Sequence, residues 1–318
     1  MKKRLTALLL LLLFLTGCTT AAPVTTEPSI APTAAPTEPT VVVTLPIETE
    51  APTEPPLEGL TVHFIDVGQA DCALLECDGA FALIDGGNEA DGEDVVEYLE
   101  AQGVQRLNLV VGTHPHEDHI GGLPAVLNAY PADNIWTSEM PYSNSITRAF
   151  TDAVARQGTA VFVPDVGQTF SLGSATITMI GPIRMDYEDA NNLSLVLMVQ
   201  YGDIRFLFAG DMERDAEIEL LDSGADVKAD VLKVGHHGSY TSTSYRFLYE
   251  VDPTYAVICV GAANDYGHPH NESMSRLRDA EVIIYRTDKM YDIVAVTDGK
   301  EIQFSWENSF AKPWTPAA

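Results

Sequence analysis

Short apolar segments alternate with amphipathic segments along most of the chain. The apolar segments of the first half end in polar or glycine-containing turns and predict β-strands: LTVHFIDV, FALIDGG, LNLVVGTH, NIWTS and VFVP. Two segments between them have apolar residues at helical spacing and end in a glycine suited to a left-handed cap, GEDVVEYLEAQG and SITRAFTDAVARQG.

The second half repeats this pattern. Its predicted strands are SATITMI, LSLVLMVQYGDIRFLFAGD (a hairpin that turns at Gly202 and Asp203), ADVLKVG, YAVICVG and VIIYRT, and its predicted helices are MERDAEIELLDSG and NESMSRLRDAE. Two halves, each of strands followed by helices, predict an α/β (α+β) fold in which two sheets pack face to face with helices outside.

The N-terminal residues 1–17 have a basic start, an apolar run and small residues before Cys18, which is the layout of a secretory signal. The run is too short to span a membrane. LTGC resembles a bacterial lipobox, so we expect lipid on Cys18 and an extracytoplasmic protein anchored to the bacterial cell membrane. An ordinary signal peptide that contains a cysteine is the alternative.

Residues 18–57 are rich in Thr, Pro, Ala and Glu, a composition that predicts a disordered, semi-rigid tether. Residues 58–318 are long enough to form one large domain with its own core. Cys72, Cys77 and Cys259 show no disulfide or zinc-finger spacing and are expected to be buried apolar residues, with Cys72 and Cys77 on opposite faces of one strand.

The chain is strongly acidic, with a net charge of −28. Such a charge repels polyanions at long range, and the chain lacks the basic stripe of a typical nucleic-acid-binding protein.

Histidine is scarce, with eight in 318 residues, yet three lie in the segment THPHEDHIGG. The segment places His114, His116, Asp118 and His119 between a predicted strand and a predicted helix. Imidazole and carboxylate together are the ligand set of zinc and related divalent ions. Further candidates end other predicted strands: Asp211, His236, His237, His268 and His270. His63 lies inside a strand and is expected to be a satisfied core or surface histidine.

These motifs resemble those of the metallo-β-lactamase superfamily of metallohydrolases, and more closely the hydrolase domain of the ComEC/Rec2 competence proteins. The supporting segments run in the family's order from Phe64 to His270: FIDVGQADCALLE, LIDGG, THPHEDHIGG, NNLSLVL, FLFAGDME, LKVGHHGS and NDYGHPH. The resemblance implies an αββα metallo-β-lactamase-like sandwich with a metal centre in a groove at one edge.

The resemblance also implies two divalent metal ions, Zn²⁺ by preference, with Mn²⁺ left open. His114 and His116 would bind one ion, Asp118 and His119 the other, and Asp211 both. His236 is preferred over His237 as the last ligand; if His237 takes that place, His236 would contact substrate. The superfamily's separate histidine is missing, because no histidine occurs from Ile120 to Gly235. Water or an asparagine of NNLSLVL would replace it.

Other residues are assigned by chemistry and by motif. Asp118, His237 and His268 are the candidate catalytic residues, with His268 or His270 as proton donor to the leaving group or as part of a rigid loop. The candidate substrate-binding residues are Lys233, Asn192, Ser194 and His270, although Lys233 fits equally well as a lysine at the edge of the core. Asp85 is expected to orient the ligand loop. Asp66 and Asp71 would act similarly or only cap the turn at Gly68.

The leading functional hypothesis is a membrane-anchored phosphodiesterase that uses metal-activated water. The resemblance implies DNA as substrate, whereas the acidity of the chain argues against long duplex DNA. A cell-envelope phosphodiester, such as a phosphorylcholine- or teichoic-type polymer, is the alternative. A lipoprotein that binds a metal or ligand without catalysis is the hypothesis from another class. No obligate protein partner is expected, and the default is a monomer.

Overall fold

The computed structural model describes residues 57–316. The predicted signal peptide, the lipid site at Cys18 and nearly all of the predicted tether lie outside these residues and stay predictions.

The first half of the described chain contains six strands and four helices. In chain order they are β1 (Leu60–Phe64), β2 (Ala73–Cys77), β3 (Ala80–Ile84), α1 (Gly92–Ala101), β4 (Leu109–Gly112), α2 (Glu117–Ile120), α3 (Leu123–Ala129), β5 (Asn134–Thr137), α4 (Ser145–Gln157) and β6 (Ala160–Phe162). The end of α4 at a left-handed glycine, Gly158, confirms the cap expected from the sequence.

The second half contains the predicted strands and helices in the predicted order, together with three strands and two helices that were not predicted. Its elements are β7 (Thr169–Leu172), β8 (Ala175–Gly181), β9 (Val196–Tyr201), β10 (Ile204–Phe208), α5 (Arg214–Asp222), β11 (Val231–Lys233), α6 (Tyr245–Val251), β12 (Tyr255–Ile258), α7 (Asn271–Asp279), β13 (Ile283–Arg286), α8 (Thr287–Met290), β14 (Ile293–Thr297) and β15 (Ile302–Trp306). The pairing of Tyr201 with Ile204 confirms the predicted hairpin at Gly202 and Asp203.

Two sheets form the centre of the fold. One has eight strands in the order β15-β14-β1-β2-β3-β4-β5-β6, and the other has seven in the order β13-β12-β11-β10-β9-β8-β7. Their facing sides form one apolar core, in which the rings of Phe64 and Phe208 stack with centroids 5.9 Å apart. The outer faces are covered by α1, α3 and α4 on one sheet and by α5, α6 and α7 on the other. These four layers confirm the predicted αββα sandwich.

The cysteines lie where strand alternation places them. Cys77 belongs to the core between the sheets, whereas Cys72 packs under the helices on the opposite face. Both are buried free thiols, as is Cys259. Within residues 57–316, no helix is both long and apolar enough to cross a bilayer.

Parallel strands position the polar loops. β3 and β4 are parallel in the first sheet, and β10, β11 and β12 are parallel in the second. Because the carboxyl ends of parallel strands lie at the same edge of a sheet, the segments after these five strands converge at one edge of the sandwich.

Candidate metal centre

Asp211 lies at the centre of this edge, and its two carboxylate oxygens face different sets of histidines. Oδ1 lies 3.3 Å from His119 Nε2 and 3.6 Å from His237 Nε2. Oδ2 lies 3.8 Å from His114 Nε2 and 3.6 Å from His236 Nε2. A carboxylate in this position can bridge two cations.

Two groups of candidate ligand atoms share Asp211. Within each group all ligand atoms lie within 4.8 Å of one another: the first contains Asp118, His119, Asp211 and His237, and the second contains His114, His116 and Asp211. In the second group His114 Nε2 lies 3.0 Å from His116 Nδ1. The structure therefore offers one four-ligand position and one three-ligand position beside it.

Hydrogen bonds at Nδ1 prepare three of these histidines as ligands. His119 Nδ1 lies 2.8 Å from Asp85 Oδ2, and His237 Nδ1 lies 3.0 Å from the carbonyl oxygen of Cys259. His114 Nδ1 lies 3.2 Å from Thr113 Oγ1, whose own proton goes to Asp85. Each Nδ1 thus donates to an oxygen, which leaves the Nε2 lone pair free for a cation.

Buried polar atoms without a partner support the same conclusion. His119 Nε2, His237 Nε2 and Asp211 Oδ1 are enclosed and accept or donate no hydrogen bond. Such orphaned atoms are costly unless a cation satisfies them. The residues present therefore fit a pair of divalent ions.

The electrostatics of the centre favour positive charge. Burial acts to lower the pKa of His237, but Asp211 and Asp71 raise it to about 10. His119 shows the same balance, with Asp211 and Asp85 raising its pKa well above the ordinary value. The carboxylates would attract a metal ion as they attract these protons, and metal binding would release the protons.

The two adjacent histidines of GHHGS differ in their surroundings. Both have left-handed backbones, with φ of 50° at His236 and 51° at His237. His237 is buried within the four-ligand group, whereas the His236 side chain is 22% exposed and its Nδ1 lies 3.1 Å from Glu213 Oε1. This geometry favours His237 over His236 in the four-ligand position, whereas His236 Nε2 lies 3.6 Å from Asp211 Oδ2 on the side of the other group.

Asp71 and Lys233 lie beneath the ligands. Lys233 Nζ donates to Asp71 Oδ2 over 2.7 Å, and Asp71 Oδ1 lies 3.2 Å from His237 Nδ1. Lys233 is only 4% exposed and is therefore out of reach of a substrate. It lies at the edge of the core, which is one of the two positions expected from the sequence. Of the two aspartates left open by the sequence, Asp71 supports a ligand, whereas Asp66 accepts from the N–H of Gly68 and caps the turn.

A cleft of about 470 Å³ opens above the centre. It is lined by Gln69, Asn88, His116, Glu117, Asp118, Asn191, Asp211, His236, His237, Tyr266 and His268. A larger hollow beside α5 and α6 contains none of the candidate ligands.

None of the four residues predicted to bind substrate lines this cleft, and besides the buried Lys233 the other three have partners of their own. Asn192 Oδ1 accepts from the N–H of Glu213, and Ser194 Oγ accepts from the N–H of Asp211, so both hold the loop that carries the bridging aspartate. His270 Nδ1 accepts from the N–H of Tyr240. These three side chains therefore accept hydrogen bonds from backbone N–H groups, whereas the neighbouring Asn191 lines the cleft.

His268 lines the cleft as an uncharged hydrogen-bonding group. Gln69 Oε1 accepts a hydrogen bond from the N–H of Gly261, so the Gln69 side-chain nitrogen is the atom that lies 3.3 Å from His268 Nδ1. Because that nitrogen donates, His268 Nδ1 accepts and the proton of the neutral His268 ring is on Nε2. Burial, followed by the nearby His236, His237 and His270, lowers the pKa of His268 to about 4. Near pH 7 His268 can donate a hydrogen bond but does not carry the extra proton expected of an acid.

Sequence reasoning did not single out Gln69, Glu213 or Tyr266, although all three lie within quoted motifs. Gln69 belongs to FIDVGQADCALLE, Glu213 to FLFAGDME and Tyr266 to NDYGHPH. Their presence inside these motifs was the available signal, but neither charge nor spacing distinguishes them from ordinary surface residues.

Comparisons with known proteins agree with this geometry. Residues 65–262 match the family described as the metallo-beta-lactamase superfamily. The chain is 29% identical over 246 residues to ComE operon protein 3 of Bacillus subtilis, and this alignment covers 72% of this chain and 32% of that protein. It is 31% identical over 221 residues to Recombination protein 2 of Haemophilus influenzae, covering 68% of this chain and 26% of that protein.

The chain thus spans about a third or less of the length of these curated relatives. Among solved structures, the metallo-beta-lactamase fold protein YhfI from Bacillus subtilis superposes with a TM-score of 0.51 at 13% identity, covering 78% of this chain and 100% of that one. At this identity the likeness supports the fold alone.

Proposed function

Because the chain belongs to the metallo-β-lactamase superfamily, we propose that this metal-dependent hydrolase is a phosphodiesterase that acts outside the cytoplasm, held to the membrane by lipid on Cys18. One observation carries the proposal: two groups of ligand atoms share Asp211 at the floor of an open cleft. Two divalent cations, zinc or manganese, would activate water there and offset the negative charge that develops on a phosphate.

Asp118 orients the attacking water. Burial acts to raise its pKa, but His119 and His237 hold the pKa well below the ordinary value, so the side chain stays a carboxylate. It is part of the cleft lining, 3.2 Å from His237 Nε2. A carboxylate at this point accepts a hydrogen bond from water and sets the direction of attack.

His236 supplies the proton for the leaving group. Burial acts to lower its pKa, but the hydrogen bond to Glu213 and the charge of Asp211 raise it above the ordinary value. The Thr241 hydroxyl donates to the same Glu213 oxygen over 2.8 Å and fixes the pair. We therefore assign the acid role to His236, whereas the sequence suggested His268 or His270 as the proton donor, and the Nε2–H of His268 donates to a phosphate oxygen.

A nucleic-acid strand is one candidate substrate, because the curated relatives include proteins named for competence and recombination. A cell-envelope phosphodiester is the other, and the net charge of −28 favours it over a long polyanion. The hypothesis of a non-catalytic binding lipoprotein predicts that the metal-loaded protein is inert toward every ester.

The test uses the full chain loaded separately with zinc and manganese. Hydrolysis of bis(p-nitrophenyl) phosphate, p-nitrophenyl phosphorylcholine and fluorescent single-stranded DNA would be followed, with Asp118→Ala as the inactive variant. Asp94→Ala is the matched control, because this exposed carboxylate on α1 lies outside the cleft and belongs to neither ligand group. Turnover lost only in Asp118→Ala supports the proposal. Silence on all three substrates with metal bound rejects it.

A further inference from the structure

Three aromatic rings form a ladder from solvent to the metal centre. The Tyr266 ring stacks on His268 with centroids 5.6 Å apart and planes at 23°, and His268 stacks on the ligand His237 with centroids 6.3 Å apart and planes at 25°. Tyr266 is 68% exposed. One face of Tyr266 is thus held against the ladder while the other remains open in the cleft.

The loop that carries Tyr266 is fixed by hydrogen bonds of its own. Asn264 Nδ2 donates to the carbonyl oxygens of Gly261 and His268 over 2.9 Å and 2.7 Å, and Asn264 Oδ1 accepts from the N–H of His268 over 2.9 Å. Gln69 anchors the same loop from the first sheet. The exposed aromatic face is therefore preorganised, which lowers the entropy cost of binding a group against it.

The charges of the cleft select against a polyanion. Among the described residues that line it there is no lysine or arginine, whereas Glu117, Asp118 and Asp211 are carboxylates. Two divalent ions carry more charge than Asp118 and Asp211 and would hold one phosphate at the floor of the cleft, whereas Glu117 is exposed at the rim. Away from the metal ions, the charged lining residue is therefore Glu117, which attracts a cation and repels further phosphates.

Resting on the phosphodiesterase function, we propose that the substrate is a phosphodiester in which one alcohol carries an ammonium group. That group binds the open face of Tyr266, and Tyr266 is the residue that determines specificity. A cation over the face of an aromatic ring is attracted by the ring's quadrupole, and Glu117 on the same cleft adds charge attraction. The phosphate would lie over the centre, with the ammonium group toward the rim.

The test is calorimetric titration of the metal-loaded full chain with phosphocholine, methyl phosphate and thymidine 5′-monophosphate. We expect phosphocholine to bind most tightly. Tyr266→Ala should lower the affinity for phosphocholine about tenfold, because one well-placed cation–π contact is lost, and should leave the affinity for methyl phosphate unchanged. Tyr266→Phe, which keeps the ring face, should bind as the wild type does. Tyr249→Ala is the matched control, since Tyr249 is 80% exposed on α6 outside the cleft.

Several results would overturn the proposal. Equal weakening of phosphocholine and methyl phosphate in Tyr266→Ala would make Tyr266 a support of the cleft only. Tightest binding of thymidine 5′-monophosphate would assign the ring face to a nucleobase. An unchanged affinity of Tyr266→Ala for phosphocholine would leave Tyr266 without a role in binding. Hydrolysis of bis(p-nitrophenyl) phosphate, p-nitrophenyl phosphorylcholine and fluorescent single-stranded DNA on the same preparations separates the two proposals. Turnover without ammonium preference refutes this inference alone, whereas phosphocholine binding without turnover refutes the phosphodiesterase function.

Discussion

Lys233 donates a charged hydrogen bond to Asp71 over 2.7 Å in a place where both side chains are almost completely enclosed. Burial acts to raise the pKa of Asp71, but Lys233 and His237 lower it to about 2. Both groups are therefore charged at neutral pH, and each offsets the desolvation cost of the other.

Removing the lysine should destabilise the fold. Lys233→Met leaves Asp71 buried without its main partner, and we expect a loss of about 3 to 5 kcal/mol in the free energy of unfolding, measured by urea denaturation. Lys228→Met is the control, because its ion pair with Asp252 is exposed and should contribute less than about 1 kcal/mol. Similar losses in the two variants would contradict the buried-pair interpretation.

The two adjacent histidines should differ in metal binding. His237→Ala removes a member of the four-ligand group, so this variant should retain one metal ion fewer than the wild type after dialysis against metal-free buffer. His236→Ala should retain the full amount, because His236 belongs to neither group. Mass spectrometry of the bound metal gives the answer, and the reverse pattern would restore His236 as the ligand.

Asp85 should control metal affinity without contacting the ion. Asp85→Asn can present its amide nitrogen to His119 Nδ1 and so favour the wrong tautomer; we expect about a 10- to 100-fold loss in metal affinity, measured by chelator competition. Asp66→Asn is the matched control, since Asp66 caps a turn and hydrogen-bonds no ligand. If both variants bind metal as the wild type does, Asp85 has no such role.

His63 should make the fold sensitive to mild acid. Burial lowers its pKa to about 4, against 6.5 as the ordinary value, so the folded protein favours the neutral ring. The unfolded chain takes up this proton below pH 6.5, whereas the folded protein takes it up only near pH 4. The free energy of unfolding should therefore fall by about 3 kcal/mol as the pH is lowered from 6.5 toward 4.

The comparison for His63 is His63→Gln, which cannot take up this proton. The free energy of unfolding of the wild type should fall more steeply between pH 6.5 and 4 than that of the variant. Parallel curves would show that Tyr98, whose hydroxyl lies 2.9 Å from His63 Nδ1, accommodates the charged ring without cost.

Local sequence signals predicted most of the fold. Gly202 and Asp203 announced the hairpin, Gly158 ended a helix, and the alternation of Cys72 and Cys77 across a strand was correct. Each of these features depends on a few neighbouring residues, so the sequence contains what is needed to predict it.

The details of the site depend on contacts between distant segments, and there the sequence was ambiguous. His236 and His237 both have left-handed backbones, and this conformation decides which of the two rings enters the four-ligand group. The residue types in GHHGS do not predict a left-handed backbone for histidine. The interior position of Lys233 depends on its ion pair with Asp71, which is distant in sequence and lies in the segment between β1 and β2. Asn192 and Ser194 resembled substrate contacts because a polar side chain in a motif does not reveal that its partner is a backbone N–H.

At the tip of the loop that carries Tyr266, Asn264 satisfies the backbone hydrogen bonds, whereas the ligands His119 and His237 are fixed by Asp85 and by the carbonyl oxygen of Cys259 at the base of that loop. Substitutions at the tip of this loop can therefore accumulate without disturbing the reacting centre. Over evolutionary time, such a separation would let related chains keep one chemistry and exchange the molecules on which they perform it.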